Sequence, residues 1–133
     1  MPDQANLQLA RQAWQAVSQS DVDTLQKLWS ADIVWHATGR GTPWVGDHRG
    51  QDAVLDYLAR IGESVEIFDA RLDDILTSSD RIAYLLHVSA RLGDRTLELD
   101  YQLLARIEEG LVVEVWTTPL EPHVLEEFWK SAG

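Results

Sequence analysis

Residues 32–50 read DIVWHATGRGTPWVGDHRG, and this stretch decides the fold. Asp32 to Ala37 joins β-branched and aromatic residues in a run of strand length. Gly39, Gly41, Pro43, Gly46 and Gly50 then punctuate a loop that carries Trp44. The loop feeds a helix, QDAVLDYLARIG, whose Val54, Tyr57, Leu58 and Ile61 share one face. His36 is the polar group on an otherwise apolar strand. Such a group beside an aromatic-bearing loop is a common way for a small α+β domain to wall a ligand pocket.

Upstream, Leu7, Ala10, Trp14 and Val17 recur at helical spacing and predict a helix over about 3–19. Ser20 or Asp21 caps a second, shorter helix bearing Leu25, Leu28 and Trp29. Downstream, a strand is expected over 65–77, a turn at Ser78–Asp80, and strands over 81–92, 95–107 and 111–118. Pro119 and Pro122 stop the last strand, and Pro122 suits the first turn of a terminal helix, HVLEEFWK. Helices followed by an antiparallel meander indicate an α+β fold, in a single domain spanning 1–133.

The turns set the register. Gly93–Asp94 is a two-residue hairpin turn that places Leu92 opposite Arg95, Val88 opposite Leu99, and Tyr84 opposite Leu103. At the next turn, positive φ at a glutamate is unfavourable. A three-residue loop, Glu108–Glu109–Gly110, is therefore expected, with Ile107 opposite Leu111. One sheet face then carries Tyr84, Leu86, Val88, Ala90, Leu97, Leu99, Tyr101, Leu103, Ala105, Ile107, Leu111, Val113, Val115 and Thr117, and belongs under the helices. The other is mixed, with Leu85, His87, Ser89, Asp100, Leu104, Arg106, Val112, Glu114 and Trp116. A one-residue slip would exchange the two sets, so their segregation supports the register. The apolar residues on the mixed face would leave a sizeable patch uncovered, which points to a homodimer through it, with His87, Asp100, Glu114 and Trp116 in the interface.

A net charge of −11 argues against nucleic acid and anionic membrane as partners. The chain has no cysteine, which removes disulfides and thiolate chemistry. No apolar leader precedes the first helix and no segment has transmembrane length, so a cytoplasmic protein is expected. The four histidines, His36, His48, His87 and His123, lack metal-site spacing. GRGTPWVG is neither a dinucleotide nor a phosphate-loop pattern. Neither metal nor cofactor is expected.

IVWHATG (33–39), WVGDHRGQDAVLDYL (44–58) and EEGLVVEVW (108–116), in this order of elements, resemble the SnoaL-like family of the nuclear transport factor 2-like superfamily. The resemblance covers nearly the whole chain. It implies a cone in which a curved sheet wraps helices around a pocket, often in a homodimer. It also implies activities ranging from ketosteroid isomerase, polyketide cyclase, epoxide hydrolase and dehydratase to none, so the fold alone does not give the function. The ketosteroid isomerase base falls on His36 counting back from Gly39, and on Ala37 counting forward from Asp21. The family's oxyanion-hole aspartic acid falls on Leu99 and its tyrosine near Ala13, with Trp14 beside it. Steroid isomerisation by that mechanism is therefore not expected. The Asp–Arg–Asp set of the epoxide hydrolases has counterparts of the right type in Asp100, Arg106 and Glu114, but these lie on the mixed face.

His36 is the candidate catalytic acid or base, weighed against a core histidine bonded to backbone. Trp14, Trp44, Tyr84, Leu99, Tyr101 and Leu103 are the candidate substrate-binding residues. The tyrosine hydroxyls are possible ligand donors, because buried hydroxyls need partners. His87 with Asp100 reads as a structural or interface pair. Ser89 beside them lacks a nucleophile elbow, which argues against a hydrolase triad. Three functions follow: a SnoaL-like enzyme acting on a hydrophobic cyclic or polyketide-like molecule, a non-catalytic binder with the same pocket, and a structural homodimer with a closed core.

Overall fold

The computed structural model describes residues 2–38 and 45–130. Helices α1 (Pro2–Ser18) and α2 (Val22–Leu28) lead into strand β1 (Trp29–Ala37). Then come β2 (Gly46–Arg49), α3 (Gln51–Glu63), β3 (Ile67–Thr77), β4 (Arg81–Leu92), β5 (Arg95–Glu108), β6 (Leu111–Pro119) and α4 (Pro122–Lys130). The strands form one curved, unclosed sheet in the order β2-β1-β6-β5-β4-β3. Every neighbouring pair is antiparallel except β1 with β6. This is the α+β arrangement expected.

Local chemistry accounts for the boundaries. Asp21 caps α2 by accepting the Thr24 amide at 3.2 Å and the Thr24 hydroxyl at 2.7 Å. Trp29 opens β1 instead of closing α2, because its backbone is already extended. β2, GDHR, lies within the expected loop. It is short, largely exposed and without apolar alternation, so no periodic signal marks it.

The β4–β5 register is the expected one, residue for residue from Leu92–Arg95 to Tyr84–Leu103. The β5–β6 turn differs. Glu108 pairs with Leu111 across a two-residue turn, with φ of 53° at Glu109 and 78° at Gly110. Both central residues are left-handed, as a type I′ turn requires, so the backbone accepts positive φ at a glutamate. A bulge at the Arg106–Ile107 step restores the alternation beyond it. As a result Val112, not Leu111 or Val113, is buried near the turn. Val115 and Thr117 face inward as expected.

The helices cover the inner face. Asn6 of α1 ties the layers together: its side-chain amide donates to the carbonyls of Ser78 (2.8 Å) and Ser79 (3.0 Å) at the β3–β4 turn. The core beneath divides into two clusters. One gathers Ala10, Leu25, Ile33, Val54 and Ile82 among others. The other joins Leu97 and Leu99 to Leu125, Phe128 and Trp129 of α4. No described helix is long and apolar enough to cross a membrane.

Candidate functional site

A cavity of about 390 Å³ lies where the two clusters meet, lined by residues of both. That is within the size range of small-molecule sites. Trp14 from α1 and Tyr84, Leu99, Tyr101 and Leu103 from the sheet all line it, five of the six expected pocket residues. Trp44, the sixth, lies outside the described residues. Exposed Phe68 marks the rim.

His36 does not reach the cavity. In the parallel pairing of β1 with β6, Trp35 stands beside Val115 and His36 beside Trp116. Val115 faces inward, so Trp35 and Ala37 do too, and His36 turns to the outer face. There its Nδ1 lies 2.7 Å from Asp47 and its Nε2 2.5 Å from Glu114, while its ring stacks on Trp116. Arg106 closes the cluster on the far side of Glu114 at 3.2 Å. Burial pulls the imidazole pKa down, but the bonds to Glu114 and Asp47 outweigh it and the net shift is upward. His36 is a cross-strand clasp between β2 and β6, and its expected place in the pocket is corrected.

The inward place on β1 belongs to Ala37, which is buried and carries no ionisable group. Leu99 is 1 % exposed on the cavity wall, and Ala13 and Trp14 face it from α1. The proton-transfer and oxyanion positions implied by the isomerase resemblance thus hold Ala37, Leu99 and the Ala13–Trp14 pair. Among the described residues the wall contains no lysine, arginine or histidine, and its one carboxylate is exposed Asp69.

The polar atoms of the wall are of a different kind. Tyr84 donates its hydroxyl to the Ala10 carbonyl at 3.0 Å, which removes it as a ligand donor. Thr117 is also occupied: it accepts the Thr38 amide at 2.9 Å and donates to the His36 carbonyl at 3.2 Å. Tyr57 and Tyr101 also stand on the wall. Burial pushes both phenols up; Tyr101 raises Tyr57 further, while a long hydrogen bond with Trp35 opposes the effect at Tyr57 and one with Thr117 opposes it at Tyr101. The indole N–H of Trp35, whose ring lies 6.1 Å from that of Tyr57, is buried and is directed at the Tyr57 hydroxyl without closing a hydrogen bond of ordinary length. Tyr57 packs on its other side against His48, ring centroids 4.4 Å apart.

Trp35 and Tyr57 are two of the wall residues outside the expected set. Tyr57 had a signal, as the one residue with a polar atom on the apolar face of α3. Trp35 had none, because β1 is apolar at successive positions and alternation cannot choose its inner face.

The outer face carries a second histidine clasp. His87 is paired with Asp100, Nδ1 at 3.0 Å, and bonds Glu98 through Nε2. Ser89 donates to Glu98 at 2.9 Å, not to His87, so the three form no nucleophilic relay. Asp100, Arg106 and Glu114 stay on this face, away from the cavity. No group of three or more metal-ligating side chains occurs among the described residues.

A sheet cone with its cavity between helices and sheet defines the class: a small α+β pocket protein. The SnoaL-like domain model matches residues 10–115, and the chain belongs to that family. A protein from Xanthomonas campestris with a cystatin-like fold and unknown function is 30 % identical; the match covers 92 % of this chain and 96 % of that one, with a TM-score of 0.82. Bal32a, from a soil-derived mobile gene cassette, is 25 % identical, with coverage of 97 % and 99 % and a TM-score of 0.89. IdmH, a candidate polyketide cyclase from Streptomyces antibioticus, shares the fold at 18 % identity, with coverage of 89 % and 93 % and a TM-score of 0.71. No curated protein matches the chain.

Proposed function

We propose that the protein binds a hydrophobic, cyclic small molecule of polyketide-like type in the cavity between α1, α3 and the sheet. One observation carries this reading: the core keeps a space of about 390 Å³ behind aromatic and aliphatic walls. A closed structural module would fill it, since protein interiors are close-packed. The family relation to candidate polyketide cyclases is consistent with such a ligand. The test is a titration of tryptophan fluorescence with fused-ring aromatic compounds. Saturable binding that disappears in Ala13→Phe, where the new ring occupies the cavity, supports the reading. Absence of binding, or binding that survives the substitution, overturns it.

A cyclase- or isomerase-type reaction is the second reading. It is favoured by the phenols of Tyr57 and Tyr101, which remain protonated donors and are suited to polarising a carbonyl. It does not run through His36, whose imidazole is clasped on the other face of the sheet. A ligand recovered unchanged after incubation supports the binder; a converted product supports the enzyme.

The outer face suits a second copy of the chain. Leu85, Leu104 and Trp116 are only partly covered there, and paired carboxylates beside them soften the repulsion expected between two chains of net charge −11. Sedimentation velocity of the protein and of Trp116→Glu tests this. A dimer that the substitution splits supports it, and a monomeric parent protein overturns it.

A further inference from the structure

The outer face of the sheet carries two histidine clusters that the cavity does not use. In one, both ring nitrogens of His36 meet carboxylates, Asp47 from β2 and Glu114 from β6. In the other, both nitrogens of His87 meet carboxylates of β5, Asp100 and Glu98. An ionised carboxylate only accepts hydrogen bonds, and a neutral imidazole donates through one nitrogen alone. Two carboxylates therefore require the doubly protonated ring, and each clasp is built around a held proton. The pKa shifts agree with the geometry. At His36 burial works against the proton, but the bonds to Glu114 and Asp47 outweigh it; at His87 the bonds to Asp100 and Glu98 raise the pKa.

The other charged groups around the clasps are engaged. Arg49 pairs with Asp47, Arg106 with Glu114 and Glu108, and Arg71 with Asp73. His48 acts on Asp47 through its charge, and Arg71 and Asp73 from β3 act on His87. Ser89 donates to Glu98. Loss of its proton takes each set of one imidazole and two carboxylates from one net negative charge to two.

Both clasps border the apolar row that suits a second copy of the chain. Ala83, Leu104, Trp116 and His36 are successive register partners across β4, β5, β6 and β1, and the His36 ring stacks on Trp116. His87 follows Leu85 by two residues on β4 and so shares its face. The His36 and His87 side chains keep 23 % and 26 % of their exposure, so a second copy can still take water from them. It would also bring its own two clasps to the same face. Net charge becomes more costly there than in the free chain, which favours the protonated clasp.

Resting on the homodimer reading, we propose that association of two copies through the outer face is proton-linked, with the His36 and His87 clasps as its switch. Imidazolium in the clasps holds the chains together, and neutral imidazole separates them. Both folded values lie above 6.5, so association is full below 6.5 and is lost as pH rises through the folded values.

The test is sedimentation velocity over a concentration series at pH 6 and pH 9, with circular dichroism to verify the fold at each. The dissociation constant of the dimer is expected to rise about ten- to a hundredfold from pH 6 to pH 9. His87→Gln is expected to remove part of that rise, and His87→Gln with His36→Gln most of it. His123→Gln, at an exposed position of α4, leaves it unchanged. Glu98→Gln removes one carboxylate and neither imidazole, and is expected to tighten the dimer at pH 9 about five- to tenfold, which keeps the switch testable should a histidine variant fail to fold. A dimer of equal strength at both pH values overturns the switch while the homodimer reading stands. A pH dependence that persists undiminished in the double histidine variant does the same. A chain that is monomeric at every pH and concentration removes the homodimer reading, and this inference with it.

Discussion

The imidazole of His36 lies against the indole of Trp116, ring centroids 5.5 Å apart and planes 20° from parallel, on the sheet face opposite the cavity. Asp47 and Glu114 hold the two ring nitrogens from neighbouring strands. The histidine in the most telling stretch of the sequence therefore joins β1 to β2 and β6. It is a fastening of the sheet.

That fastening predicts a pH dependence of stability. The folded His36 pKa is raised from 6.5, so its contribution is full below 6.5 and is lost as pH rises through the folded value. Glu114 is lowered from 4.5, so its contribution is full above 4.5 and is lost as pH falls through its folded value. Asp47 behaves like Glu114. The clasp is strongest between these limits. In urea unfolding, His36→Gln is expected to cost about 1 kcal/mol at pH 6, allowing for solvent screening, and clearly less at pH 9. A difference independent of pH would contradict the clasp.

Leu99 takes the strand position where the isomerase resemblance implies an acid, and it is almost fully buried. Leu99→Ala is expected to destabilise the protein by about 2–4 kcal/mol, and by less than a fully packed site would if the existing cavity lets the wall relax. Chemical denaturation measures this. A loss below about 1 kcal/mol would mean that the wall around Leu99 is not packed as described.

Asn6 is buried and donates to two turn carbonyls across the helix–sheet interface. Asn6→Ala leaves both without that donor and is expected to cost about 1–3 kcal/mol. Hydrogen exchange should report it locally, as faster exchange at the β3–β4 turn and at the start of α1.

Glu109 holds φ of 53° in a type I′ turn that favours Asn-Gly. Glu109→Asn keeps Gly110 and is expected to raise stability by about 0.5–1 kcal/mol, read as a higher thermal midpoint. A lower midpoint would show that the glutamate side chain contributes something the turn geometry does not reveal.

Several of these features are legible in the chain. The β4–β5 hairpin is the clearest, because Gly93–Asp94 defines the turn and alternation from Tyr84 to Ala90 and from Leu97 to Leu103 defines the faces. From that hairpin follow the apolar inner face and four wall residues, Tyr84, Leu99, Tyr101 and Leu103, while Trp14 comes from the periodicity of α1. The β5–β6 turn was less legible, because a glutamate in the left-handed region is an exception that only its context permits. β2 left no periodic trace.

The amino-acid order by itself determined the α+β class, the meander and the segregation of the central strands, because those depend on local turns and on a period of two. It did not determine the direction of β1. Ile33, Val34, Trp35, His36 and Ala37 are apolar or aromatic at every step, so neither parity is excluded by hydrophobicity. Only the long-range parallel pairing of β1 with β6 chose one, setting Trp35 beside Val115 and His36 beside Trp116. That contact joins residues about eighty positions apart, and it turned a histidine outward and an indole N–H inward.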